Sequence, residues 1–374
     1  LVGFCCMLQK EEFQNRYRLY NKRFTPVFMA NADGLAVTFV MNLPYVFVEK
    51  PDGYSAKEAE EMFSDLEEEA KETAEKQTAD LPNIIVMMNE SFADLSALGE
   101  FVTNRDVMPY LHSLQKGAKN TVTGMLHVSV CGGNTPNTEF EFLTGNTMAF
   151  LPQGSIPFQQ YIKQEMPSLA SHLKQLGYRT VAMHPYQSSG WERDRVYPLL
   201  GFDRSIFLRD FYGEERVRQY VSDQACVDKI IDLYEKKAKG KPLFLFNVTM
   251  QNHGGYQEIY PNFSPDISAE GMNSVSLSQY LSLVSLSDQA LSNLIDYFAG
   301  QQEKTVVVFF GDHQPNDAVA APVLAANGMR WNALNDEQIK LRYQVPYVIW
   351  ANFEIEAQTN ADLSANYLGA EVLS

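Results

Sequence analysis

Positive charge is scarce in this chain: Lys and Arg number 30 against 46 Asp and Glu, a formal net charge of −16 over 374 residues. Such a field repels a nucleic-acid backbone over most of the surface, which excludes nucleic acid as a partner. An anionic substrate then has to be met by a local concentration of metal and arginine. Cysteine is also sparse, and positions 5, 6, 131 and 226 offer neither metal-ligand spacing nor a disulfide framework. Long apolar runs are missing too. Leu1 to Leu8 is far shorter than the about 20 residues a bilayer-spanning helix needs. It reads either as the end of a longer helix or as an apolar segment packed on the domain. Leu35 to Val48 is interrupted by Asn42 and Pro44, which favours buried structure over a membrane span. No internal repeat or low-complexity tract stands out.

What is present is core-forming material, 45% apolar and 12% aromatic, enough for one large α/β domain or a domain with an appendage. Residues 54–80 are acidic and Ala-rich, with Glu67/Lys71 and Glu72/Lys76 at helical spacing, and predict a solvated helix leading into the main domain. After Pro82, short apolar runs alternate with longer mixed segments. That is the pattern of a mostly parallel sheet covered by helices. Strands are expected at Ile84–Met88, Thr121–Val130, Thr180–Met183, Leu243–Val248, Val306–Phe310 and Tyr347–Trp350, and helices at Ser168–Leu176, Asp223–Lys237 and Ser278–Phe298. The division is a segment 1–81 and a domain 82–374, with a smaller C-terminal part beginning near Tyr347 and packed against the sheet.

Polar residues gather just after these strands: Glu90, Thr135, His184, His253, Asp312 and His313. In open α/β sheets ligands bind beyond the carboxyl ends of the strands, so these residues are expected on one rim. Gly311-Asp312-His313 delivers an adjacent carboxylate and imidazole from a strand end, and Glu90 occupies the same position after the first strand. Alone, each reads more simply as a turn or capping residue; together they suit one Zn²⁺, Mn²⁺ or Mg²⁺ ion. Cys131-Gly-Gly-Asn-Thr135-Pro136 opens a helix, with Thr135 as N-cap and Pro136 as first helical residue. A helix N-terminus accepts phosphate, and a Thr hydroxyl beside a divalent cation becomes a competent nucleophile. Trp191 and Arg193 follow His184 in one loop, where the guanidinium is suited to phosphate oxygens. His253 could donate to a phosphoryl oxygen or act on a leaving group.

In this order, Asn83-Ile-Ile-Val-Met-Met-Asn-Glu90-Ser-Phe92, Gly-Asn-Thr135 with Glu139-Phe140, His184 with Trp191 and Arg193-Asp194, Asn252-His253 and Gly311-Asp312-His313 resemble the lipoteichoic acid synthase family of phosphoglycerol transferases, within the alkaline phosphatase and sulfatase superfamily. The resemblance runs from about Pro82 to the end. It implies one divalent ion, manganese or magnesium with zinc or calcium as alternatives, bound by Glu90, Thr135, Asp312 and His313, with Thr135 as catalytic nucleophile. It also implies that Trp191, Arg193, His184 and His253 hold substrate. The implied donor is an anionic phospholipid head group, and the implied acceptor a glycerophosphate polymer or glycolipid. The catalytic domain would face outward from the cell membrane, anchored by helices N-terminal to this segment. Tyr186 stands where those synthases are expected to carry Asp, and no Cys/Ser-x-Pro-x-Arg stretch is present to form a sulfatase formylglycine. A hydrolase using the same site, and a catalytically silent polyanion- or glycolipid-binding protein, remain as alternatives.

Overall fold

The computed structural model describes residues 2–21, 26–43, 53–58, 61, 81–152 and 154–374. Most of the expected acidic helix at 54–80, including its Glu/Lys pairs, lies outside the described residues. One compact unit takes the described residues of Leu1–Ala79 with Met148–Tyr161, and the other those of Asp80–Thr147 with Ile162–Ser374.

Within the first unit, short helices Val2–Leu8, Glu11–Arg16, Pro26–Asp33 and Leu35–Asn42 enclose a small cluster of Leu8, Met29 and Met41. The run from Leu35 is buried on one side only: Thr38 and Met41 are covered, whereas Leu35 and Phe39 are exposed. Among the described residues no helix is long and apolar enough to cross a membrane.

The second unit is built on a mixed sheet. Its strands are β1 (Asn83–Asn89), β2 (Thr121–His127), β3 (Arg179–Met183), β4 (Arg204–Ile206), β7 (Leu243–Val248), β8 (Thr305–Gly311), β9 (Gln344–Ala351) and β10 (Leu363–Ser364); β5 (Arg216–Val217) and β6 (Tyr220–Val221) form a separate hairpin. The sheet order is β10-β2-β9-β8-β1-β7-β3-β4. Only β9 runs against the rest, antiparallel to both β2 and β8. β1, β7 and β8 are buried along their whole length, as strands covered on both faces must be, and this is why they read as continuous apolar runs.

All six expected strands form. The C-terminal segment does not make a smaller part packed against the sheet: β9 lies inside it between β2 and β8, and β10 pairs with β2. The backbone groups of Gln344–Ala351 find partners on both sides there, which a strand outside the sheet would lack.

The helices used below are α1 (Thr135–Thr144), α2 (Arg193–Leu199), α3 (Asp223–Glu235) and α4 (Val275–Ala299). α4 starts where the Ser274 hydroxyl accepts the Leu277 N–H. It buries Leu277, Leu281, Val284, Leu291, Leu294 and Phe298, at helical spacing, in the core that also holds Ile85, Met87, Val307 and Phe309. On α1, Phe142 stacks on Phe246 and packs at a tilt against Phe310, at centroid distances of 5.6 and 5.1 Å. This packing holds the last turn of α1 against β7 and β8.

Candidate active site

Because β1, β2, β3, β7 and β8 point the same way, their carboxyl ends share one rim. The chain leaves β1 through Ser91 in a left-handed turn (φ 51°), and Glu90 is held there by its own N–H on the Thr249 hydroxyl at 3.0 Å. β8 ends at Gly311, where a Cβ would overlap the carbonyl oxygen of Phe92; glycine lets the two strand ends close on each other. That approach carries the Asp312 carboxylate to the Ser91 N–H at 2.7 Å, and the same oxygen accepts the His313 N–H at 2.8 Å.

The other Asp312 oxygen, Oδ2, lies 3.2 Å from His313 Nε2, which is 3.7 Å from Glu90 Oε1. His313 Nδ1 meets the Gln314 carbonyl at 2.9 Å. A carbonyl only accepts, so Nδ1 carries the proton and Nε2 presents a lone pair to the carboxylates. Asp312 Oδ2 and His313 Nε2 are both buried with no hydrogen-bond partner among the described residues. Two carboxylates and an imidazole lone pair converging in this way repel one another unless a cation lies among them. Burial pushes the Asp312 carboxyl up to about 7; the positive charge of His313 counters this only when its ring is protonated, and Glu90 adds to it. Ligand atoms of Glu90, Asp312 and His313 lie within 4.8 Å of one another, so the donor set fits a divalent ion.

Thr135 is the first residue of α1 rather than its cap. Asn134, in the left-handed region (φ 66°), is the cap and Pro136 follows inside the helix. The Thr135 hydroxyl lies 3.5 Å from Glu90 Oε2, on the edge of the cluster. The Thr138 hydroxyl donates to the Asp312 carbonyl at 2.7 Å and ties α1 to the same strand end.

The substrate-binding candidates take other positions. Trp191 and Glu192 are consecutive left-handed residues (φ 56° and 58°), a costly reversal that turns the chain into α2. Trp191 is half-buried. Arg193 is 2% exposed and does not present a free fork. Its Nε donates to Glu139 at 3.1 and 3.3 Å, one terminal nitrogen also bonds Glu139, and the other reaches His184 Nε2 at 3.2 Å and the Gly190 carbonyl at 3.3 Å. Glu139 also accepts from the Tyr197 hydroxyl at 2.7 Å. Burial disfavours the Arg193 charge, but Glu139 more than offsets this and holds it protonated. His184 is buried, its Nδ1 on the Val248 carbonyl at 3.0 Å; burial, then the Arg193 charge, push its pKa well below the ordinary range, so the ring is neutral. His253 is exposed, with Nδ1 3.1 Å from the Tyr220 hydroxyl.

Sequence reasoning missed the supports. Glu139 was visible in the Thr135 segment but had no partner there; a buried acid on a helix needs a counter-charge, and that was the available signal. Beneath the rim, Asp223 Oδ2 accepts from Asn89 Nδ2 and the Ser287 hydroxyl, each at 2.6 Å, and Asn252 Nδ2 reaches Asn89 Oδ1 and Ser287 at 2.9 Å. Asp223 stands at the start of an expected helix, and nothing in the spacing marks its burial.

A mostly parallel sheet with a carboxylate–imidazole cluster and a helix-start hydroxyl on its carboxyl rim defines an α/β protein of the alkaline phosphatase and sulfatase fold. The chain belongs to the Sulfatase family, whose model matches residues 82–374. A putative cyclic β-1,2-glucan modification protein of Rhizobium meliloti (strain 1021) is 31% identical over 347 residues, 91% of this chain and 52% of that protein. The phosphoglycerol transferase GacH of Streptococcus pyogenes, solved in complex with sn-glycerol-1-phosphate, superposes with a TM-score of 0.69 at 23% identity, over 87% of this chain and 83% of GacH. The lipoteichoic acid synthase LtaP of Listeria monocytogenes gives a TM-score of 0.61 at 22% identity, over 77% and 72%. This chain spans about half the length of the curated relatives it matches.

Proposed function

We propose that the chain is the outward-facing catalytic part of a longer, membrane-anchored enzyme. It moves a phosphoglycerol group from a phosphatidylglycerol-type lipid to a hydroxyl of a cell-envelope glycan, glycolipid or glycerophosphate polymer. The observation that carries this reading is the Thr135 hydroxyl at the start of α1, beside Glu90, Asp312 and His313. The solved phosphoglycerol transferases that share the fold, and the glucan-modification relative, support the donor and the acceptor class.

Glu90, Thr135, Asp312 and His313 would hold one divalent ion, manganese or magnesium with zinc or calcium as alternatives, which when bound lowers the pKa of the Thr135 hydroxyl and offsets phosphoryl charge. Thr135 Oγ attacks the phosphorus of the donor, the bond from phosphorus to the diacylglycerol oxygen breaks, and that oxygen leaves with a proton as diacylglycerol. The phosphoglycerol group is then an ester of Thr135. An acceptor hydroxyl attacks the same phosphorus, the Thr135 bond breaks, and Thr135 recovers a proton. The N–H groups at the start of α1 face the transferred anion. Trp191 and His253 contact the substrate, and Arg193 acts from behind His184.

The test is incubation with labelled phosphatidylglycerol and Mn²⁺, reading diacylglycerol release and intact mass. An adduct of one phosphoglycerol on Thr135 is expected, discharged by a glycan acceptor. Free glycerol phosphate with no transfer would make the protein a hydrolase, and an adduct elsewhere would dismiss Thr135.

A further inference from the structure

The two loop histidines differ in which ring nitrogen is committed, and the difference comes from a residue outside the recognised motifs. His184 gives Nδ1–H to the Val248 carbonyl, which leaves Nε2 as acceptor for the Arg193 N–H. Both nitrogens are satisfied, so this neutral, buried ring has no proton to offer a substrate.

His253 has the opposite arrangement. The Tyr220 hydroxyl stands 3.1 Å from its Nδ1 and receives the Gln219 Nε2 amide at 3.1 Å. A hydroxyl has one proton; with its oxygen accepting from Gln219, that proton is free to go to Nδ1. Burial, followed by the neighbouring Tyr186, pushes the Tyr220 hydroxyl up to about 12, so it stays protonated at working pH. The ring of Tyr220 is nine-tenths buried, with the Arg218 guanidinium 5.5 Å from its centroid. Arg218 in turn donates to the carbonyls of Gln251, at 2.8 Å, and His253, at 2.6 Å, so one residue braces both the tyrosine and the histidine backbone.

We propose that Tyr220 is a positioning residue that fixes His253 as the Nε2–H tautomer, making His253 a hydrogen-bond donor to the transferred phosphoryl group rather than a general base. This rests on the phosphoryl-transfer reading above for its purpose, but not for its geometry. Nδ1 is the nitrogen occupied by Tyr220, so the exposed side of the imidazole presents Nε2–H. The β5–β6 hairpin, outside the main sheet, thereby sets the chemistry of a loop that follows β7.

The test separates tautomer from turnover. Protein labelled with ¹⁵N-histidine is examined by NMR near pH 9, well above the ordinary histidine pKa of about 6.5. In the wild type His253 should show a protonated Nε2 and an unprotonated, hydrogen-bonded Nδ1, and His184 the reverse. Tyr220→Phe keeps the ring over Arg218 and removes the hydroxyl; the His253 signals should move to a mixture of tautomers while His184 is unchanged. Gln219→Ala, which leaves Tyr220 intact, should give a smaller shift in the same direction and guards against misfolding of the Phe variant. Phosphoglycerol transfer by Tyr220→Phe should fall roughly tenfold in kcat with little change in KM, as expected when one oriented hydrogen bond is lost. A wild-type His253 protonated on Nδ1, or a Tyr220→Phe spectrum identical to wild type, overturns the proposal. The expected tautomers in a protein that transfers nothing would uphold the Tyr220 assignment and sink only the proposed reaction.

Discussion

Arg193 and Glu139 form an ion pair with both side chains shut away from solvent, at 2% and 0% exposure. The pair joins α2 to α1, and so joins the loop after β3 to the helix that begins with Thr135. An arginine so placed is a structural strut whose other terminal nitrogen is spent on His184 and Gly190, and its substitution affects folding before it affects substrate.

Removing one partner leaves the other charge buried and unpaired. Arg193→Ala or Glu139→Ala should therefore cost about 3–5 kcal/mol of stability. Replacing both, as Arg193→Met with Glu139→Leu, should recover most of it. Urea denaturation of the three variants measures this, and a single variant as stable as the wild type would mean that the pair is not the strut described.

The carboxylate–imidazole cluster predicts that a divalent ion stabilises the fold. Mn²⁺ at 100 times its Kd should add about 2.7 kcal/mol by mass action, and a chelator should remove that increment. Asp312→Ala should abolish the Mn²⁺-dependent rise in melting temperature in calorimetry. An equal rise in wild type and variant would place the ion elsewhere.

Thr135→Ala should remove transfer and the covalent adduct without unfolding the domain, because the Thr138 and Phe142 contacts of α1 are untouched. Thr135→Ser should retain both at a reduced rate. Intact-mass spectrometry with lipid release decides it: an alanine variant that turns over at the wild-type rate removes Thr135 from the mechanism.

At Gly311 a methyl group would collide with the Phe92 carbonyl. Gly311→Ala should cost about 1–3 kcal/mol, the usual range for overpacking a tight core. It should also weaken metal binding, since Asp312 and His313 follow directly. Thermal denaturation with and without Mn²⁺ reads both effects, and a variant as stable as wild type with undiminished metal affinity would show that the strand ends have room to part.

His112 sits between Asp94, at 3.4 Å, and Asp106, at 2.8 Å. The Asp94 hydrogen bond raises its pKa to about 9, burial opposes this and Asp106 adds to it. A folded pKa above the ordinary 6.5 means the proton is bound more tightly in the folded state. The stabilisation is complete below 6.5 and fades as pH rises through 9. Wild type should exceed His112→Gln in urea midpoint at pH 6, and the gap should close by about pH 10, where a group of that pKa has lost its proton. A constant gap would show that the His112 charge plays no part.

The order of strands along the chain could be read from the sequence because burial on both faces imposes continuous apolar runs, as in Ile84–Met88 and Val306–Phe310. The position of Glu90, Asp312 and His313 on one rim follows from the parallel pairing those runs imply, for a residue leaving the carboxyl end of a parallel strand can only emerge there. What the sequence could not contain was the choice of partners across the fold. That β9 is inserted and reversed between β2 and β8, that Arg193 turns to Glu139, and that Tyr220 reaches His253 all depend on groups 33 to 229 positions apart brought together by packing. Spacing along a strand or helix reports which face a side chain occupies, through a period of 2 or 3.6 residues. It carries no record of what lies opposite that face, so the ion pairs, tautomers and hydrogen-bond directions of the site were decided only when the chain had closed on itself.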